Sequence, residues 1–327
     1  MIDQIIFFIT AAVVAATPLL FGTAGEILTE KSGNLNLGVE GMMFMGAASG
    51  ISAAYLYEQA AGASASGFLA AFLAVLAGFL AGAIGGLIYS VITVTLRANQ
   101  SVTGLTLTIM GVGLGNFIGE LLGIRAGGYA SVSDATRKAF SGINIPLLSG
   151  LPIVGKLLFS YDFMVYFALI TALFMMFFLN RSRAGLHLRA VGENPATADA
   201  AGIHVIRAKY LATCIGGGIC GLGGVYISMV RSSGTWVHNA VGGQGWIAVA
   251  LVICAAWSPA RAIFGALLFG GLSVLRFYLP IENVPAQVYN IIPFLATVLI
   301  LIFTSIRQRK ERHQPQSCGT NYFREER

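Results

Sequence analysis

Few residues in this chain have the types and spacing that covalent chemistry requires. Gly150–Leu157, GLPIVGKL, has the spacing of a phosphate-binding P-loop. In that motif backbone N–H groups cradle phosphates and a final Ser or Thr hydroxyl binds magnesium. The final position here is Leu157, and no strand pattern precedes it. Gly216–Gly221, GGGICG, fits the dinucleotide spacing G-x-G-x-x-G, yet it lies in an apolar run with no acidic partner at the required distance. Close packing of helices through small residues explains it, as it explains GVGLG (111–115) and GFLAG (78–82). His187, His204, His238 and His313 are dispersed. Cys214, Cys220 and Cys254 sit in apolar runs and Cys318 in a polar tail, with neither zinc nor C-x-x-C spacing, so they read as packing residues. No catalytic residue, no metal ligand and no ATP site is assigned within the chain.

The remaining polar residues suit recognition. In AVGENPATADAAGI, Asn194 is a strong N-cap, because its side chain accepts from free backbone N–H groups. Pro195 fits the first helical position, where its missing N–H costs nothing. Gly202 fits the left-handed position past the end. The expected helix has about seven residues and is roughly 10 Å long, too short to cross a membrane. Ala196, Ala198, Ala200 and Ala201 give it a low-relief surface that another protein could approach, although a plain surface turn has the same local signature. A second polar interruption, Gly25–Ala47, holds Glu26, Glu30, Lys31, Asn34, Asn36 and Glu40, with Gly33, Gly38 and Gly41 to bend the chain. Non-helical backbone at membrane depth needs protein or a water-filled cavity around it. Asn36 and Glu40 are therefore candidates to line a path or lock helices, while Glu30 and Lys31 are expected to be solvated. Asn99, Gln100, Thr103 and Asn116 are further path candidates, with hydrogen bonding between helices as the alternative. Trp236, Trp246 and Trp257 fall where an interfacial aromatic belt is expected.

These residues must be held by apolar elements. Of 327 residues, 56% are hydrophobic and 10% charged, against about 25% charged in a soluble domain. A bilayer core takes about 20 apolar residues in a helix. Candidates run at 4–22, 38–57, 68–96, 101–122, 161–179, 208–230, 241–257, 262–279 and 288–306. The stretch 68–96 exceeds one span and contains GAIGG, so it is tilted, broken or two pieces. The fold class is an all-α polytopic membrane protein of about 8 to 10 transmembrane helices plus the short helix. It forms one permease domain over 1–306 and a polar tail over 307–327 that is expected to be disordered. MIDQIIFFIT lacks a basic n-region, so the first span is expected to be retained. The net charge of +6 gathers at the ends of apolar runs and predicts topology, with no nucleic-acid partner. Arg181, Arg183, Arg189, Arg207 and Lys209, and the tail that begins RQRKER, predict cytoplasmic faces. Four spans separate the two regions, so they agree. Arg97 and Arg261 fall on the same side, and 123–160 and the N-terminus fall outside.

EKSGNLNLGVEGMMFMGA followed by RAVGENPATADAAGI resembles the permease subunits of ABC importers in the ribose and branched-chain-amino-acid superfamily. GGQGWIAVALVICAAWSPARAIFGALLFGG and IENVPAQVYNIIPFLATVLILI resemble its nucleoside branch more narrowly. The resemblance covers 1–306. It implies a transport subunit of a bacterial plasma (inner) membrane, surrounded by lipid, that carries out no chemistry. It implies a second, related permease, an ATPase subunit that binds the ATP and magnesium, and an extracellular or lipoprotein substrate-binding protein. The family's cytoplasmic coupling segment matches Gly192, Glu193, Asn194, Pro195, Ala198, Asp199, Ala201 and Gly202. The implied cargo is a nucleoside, purine nucleosides first, or else ribose or another simple sugar. An ion-coupled carrier would show more central carboxylates and an inverted repeat.

Overall fold

A computed structural model describes residues 2–142, 154–278, 286–306 and 314–323. Gly150–Ile153 of the P-loop-like stretch, and the basic run at 307–313, lie outside the described residues. In chain order the helices are α1 (Ile2–Lys31), α2 (Val39–Ala61), α3 (Gly67–Ser90), α4 (Gln100–Arg125), α5 (Asp134–Ala139), α6 (Val154–Leu158), α7 (Phe163–Arg181), α8 (Arg183–Glu193), α9 (Pro195–Ala200), α10 (Val205–Tyr226), α11 (Gln244–Cys254), α12 (Pro259–Tyr278) and α13 (Ala286–Ile306). Single π-helical turns extend α3 through Val91–Thr95 and α10 through Ile227–Arg231. The fold is all-α. Six of these helices are long and apolar enough to cross a bilayer, among the described residues.

Polar residues set the helix starts. Asp162 Oδ1 accepts from the N–H groups of Met164 (3.0 Å) and Val165 (3.2 Å) at the head of α7. Asn99 Oδ1 caps α4 at Val102 and Ser182 Oγ caps α8 at Gly185. Each cap satisfies a donor that an apolar surround would leave unpaired.

Between the caps, glycines decide the packing. α10 lies at the centre, packed on α1, α2 and α3. A Cβ on Gly217 would sit 2.5 Å from the Gly82 carbonyl oxygen, and one on Gly221 would sit 2.3 Å from that of Gly78. The glycine motifs are thus sites of backbone contact, as read from the sequence.

Four expectations change. Of the alternatives for 68–96, a break and two pieces are overturned: it is one continuous helical rod, α3 and its π turn. The run 241–257 is no full span: α11 has 11 residues, about 16 Å of helix, and is preceded by left-handed Gly242 and Gly243. The tail is ordered against the protein over 314–323, where Ser317 is buried. Trp236 and Trp257 are buried in the bundle, while Trp246 is 37% exposed. Burial follows from their contacts: Trp236 fills the space left by Gly119, and Trp257 donates its indole N–H to Glu30.

Candidate coupling surface and polar cleft

Residues 314–323 pack on the end of α8, on α9 and on the turn before α4, at one end of the bundle called here the tail end. α9 begins there as its sequence dictates. Asn194 Oδ1 accepts from Thr197 N at 3.0 Å, and Pro195 follows at the first position. The Ile203 N–H donates to the Ala198 carbonyl at 3.0 Å, with Gly202 left-handed at φ +83°. Ala198 is buried with Val191 and Val205, and Tyr322 packs on them. Thr197, Ala200, Ala201 and Gly202 remain exposed, as do Glu193 and Asn194. The low-relief face is therefore Thr197–Gly202 without Ala198. Gly192 is buried where α8 meets the end of α1: a Cβ there would lie 2.3 Å from the Lys31 carbonyl oxygen. Asp199 Oδ2 accepts from the Tyr322 hydroxyl at 2.8 Å, and Glu193 Oε2 accepts from Gln316 N at 3.4 Å.

The path candidates separate into groups. Asn36 is fully buried, donates Nδ2 to Glu26 Oε2 at 3.0 Å and accepts at Oδ1 from Gly38 N at 2.9 Å. It shapes the non-helical link between α1 and α2. Glu40 is 5% exposed and accepts from Gly243 N (2.8 Å) and Gly245 N (2.6 Å), so it holds the start of α11. Asn99 is the α4 cap, and Thr103 donates to the Asn99 carbonyl at 2.8 Å. Gln100 accepts from Leu35 N at 2.7 Å and donates to the Thr320 carbonyl at 3.1 Å. Asn116 stands apart: its Nδ2 donates to Asn239 Oδ1 at 2.9 Å, and its Oδ1 accepts from Asn239 N at 3.0 Å. Glu30, expected in solvent, is 2% exposed and bonded to Trp257. Lys31 is partly buried.

Near Asn116, at the opposite end, α4 and the segment before α11 border a cleft of about 520 Å³. Glu120, Tyr129, Trp236 and His238 line it, and His238 Nδ1 lies 2.6 Å from Glu120 Oε1. Asn116 and Asn239 lock the two borders. The sequence reading left His238 and Asn239 without a role. Their only local signal is the glycine-bounded polar run SSGTWVHNAVGG, whose partners on α4 lie more than a hundred positions earlier. A second cavity, about 380 Å³, opens at the tail end between Asn34, Arg97, Gln100, His204, Lys209 and Tyr322.

Residues 8–302 match the family described as "Branched-chain amino acid transport system / permease component". The chain belongs to this family. Three relatives align nearly end to end with the permease. It is 34% identical to the putative glucose ABC transporter permease protein TsgC13 of Haloferax volcanii, with 97% of each chain covered. It is 31% identical to the guanosine ABC transporter permease protein NupQ of Bacillus subtilis, over 90% of each. It is 29% identical to the nucleoside ABC transporter permease protein NupC of Lactococcus lactis subsp. cremoris, over 94% of each. The permease is thus a multi-pass membrane component of an ABC transporter, which implies an ATPase and further permease subunits.

Proposed function

We propose that this permease imports nucleosides, purine nucleosides first, across a bacterial plasma membrane. In this reading it pairs with a related second permease and receives cargo from an extracellular binding protein. The energy comes from an ATPase that binds ATP and magnesium and docks at the tail end, which faces the cytoplasm. Near end-to-end similarity to permeases named for nucleosides and for guanosine carries the substrate reading. The cleft beside Asn116 supports it, because its lining offers the Tyr129 ring for stacking and the Tyr129 hydroxyl, Glu120 and His238 for a nucleoside's donors and acceptors. The exposed face of α9 supports the docking reading: small side chains admit close approach, and its start and stop are fixed by Asn194 and Gly202.

A simple sugar is the second reading, carried by the similarity to the glucose permease protein of Haloferax volcanii. Uptake by vesicles containing the full importer separates the two. With ATP enclosed in the vesicles and the binding protein outside, guanosine is expected to accumulate and to be displaced by adenosine more than by ribose or glucose. Accumulation of glucose with no guanosine uptake would select the sugar reading. Uptake driven by an ion gradient without the ATPase would end both.

Gly202→Val tests the docking surface. At φ +83° a β-branched residue costs about 1–2 kcal/mol, and no atom lies close enough to clash with its Cβ. The expected result is reduced recovery of the ATPase with tagged permease and normal membrane insertion. Full recovery with full transport would count against α9.

A further inference from the structure

The polar tail does more than end the chain. Ser317 sits in a three-way junction: its N–H (3.0 Å) and Oγ (2.6 Å) both donate to the Gly192 carbonyl. A Cβ on left-handed Gly33 would lie 2.3 Å from Ser317 Oγ and 3.4 Å from Gly192 Cα. The tail then reaches two further elements. The Tyr322 hydroxyl donates to Asp199 on α9. Asn321 Nδ2 donates to the carbonyls of Arg97 (2.6 Å) and Ala98 (3.2 Å), in the α3–α4 corner. Gln100, at the head of α4, donates to Thr320. Arg97 itself is left-handed at φ +59°, a conformation uncommon outside glycine and persistent only where its surroundings hold it. Its guanidinium lies 4.6 Å from the centre of the Phe323 ring.

We infer that residues 314–323 form a strap that carries movement of α9 to the α1–α2 link and the α3–α4 corner. Covalent continuity joins α9 only to α7, through α8, and to α10. The link at 32–38 and the corner at 96–99 border the tail-end cavity but are remote from α9 in the chain. Among the described residues the strap reaches all three: it bonds to α9 and to the corner, and it meets the link by close approach at Gly33 and through Gln100, which accepts from Leu35 N and donates to the Thr320 carbonyl. It rests on the reading of α9 as the ATPase contact. Its positioning residues are Ser317, Asn321 and Tyr322.

The test uses the complete importer in vesicles, with guanosine as cargo, or glucose if guanosine is not taken up. Two permeases are compared with wild type: the double variant Asn321→Ala/Tyr322→Phe, and a chain that ends at Gln314. Recovery of the ATPase and ATP hydrolysis are expected to persist. Cargo moved per ATP is expected to fall by about tenfold, the size of an ordinary coupling between linked sites. The double variant decides the outcome if the shortened chain is not recovered. An unchanged ratio of cargo to ATP would overturn the strap, including the case in which both rates rise together and the tail is a brake. Gly202→Val separates this from a failure at α9. If that variant loses the ATPase while the strap variants keep a normal ratio, the strap alone is wrong. If it keeps the ATPase and full transport, the α9 reading is wrong.

Discussion

Gly221→Leu is expected to abolish recovery of folded protein. Gly221 lies on the central helix, where α2, α3 and α10 meet. Its added Cβ would approach the Gly78 carbonyl oxygen at 2.3 Å and the Gly82 Cα at 3.2 Å. Both obstacles are backbone, so no side-chain rotation relieves them. Overpacking costs roughly 1–3 kcal/mol where side chains give way, and the cost here is expected to exceed that range. Gly113→Leu is the control. Gly113 belongs to a similar glycine motif, but a Cβ there meets nothing within 4 Å. Thermal unfolding in detergent, followed by size-exclusion chromatography, should show a monodisperse Gly113→Leu protein and an aggregated Gly221→Leu protein. Equal stability of the two would contradict the packing described.

Glu40→Ala is expected to be nearly as damaging, through a different cause. α11 begins part-way inside the bundle, with Gly243 half-buried and Gly245 buried, so its first N–H groups rely on a protein acceptor. Glu40 supplies both oxygens to Gly243 and Gly245. Hydrogen bonds to charged groups contribute about 1.5–3 kcal/mol each, so losing two is expected to cost about 3–6 kcal/mol. Glu40→Gln keeps one accepting oxygen and should lose about half as much. The readout is melting temperature together with uptake. A Glu40→Ala protein of wild-type stability that binds cargo poorly would instead make Glu40 a path residue.

Local features of the fold were legible in the sequence, and long-range ones were not. The caps of α9 depend on neighbours a few positions apart, so Asn194, Pro195 and Gly202 announced the helix on their own. Apolar length likewise announced the six long helices. The run 241–257 misled because length and hydropathy say nothing about where a helix starts: Gly242, Gly243 and the carboxylate of Glu40, two hundred positions earlier, start α11 late. Glu30 looked like a solvated charge because its partner, Trp257, is remote in sequence. The tail looked disordered because composition records polarity and not the carbonyls at Gly192, Arg97 and Ala98 that its donors satisfy. For Asn99, Gln100, Thr103 and Asn116, an uncharged polar side chain in a span has the same sequence signature whether it contacts cargo or another helix. In the structure all four bond within the chain.

The central claim is that this gate is moved from its tail end by an ATPase seated on α9. A photoreactive amino acid at Thr197, on the exposed face of that helix, tests it in membranes holding the whole importer. Irradiation is expected to join the permease to the ATPase. No ATPase adduct from Thr197, with one instead from Tyr129 at the opposite end, would contradict it.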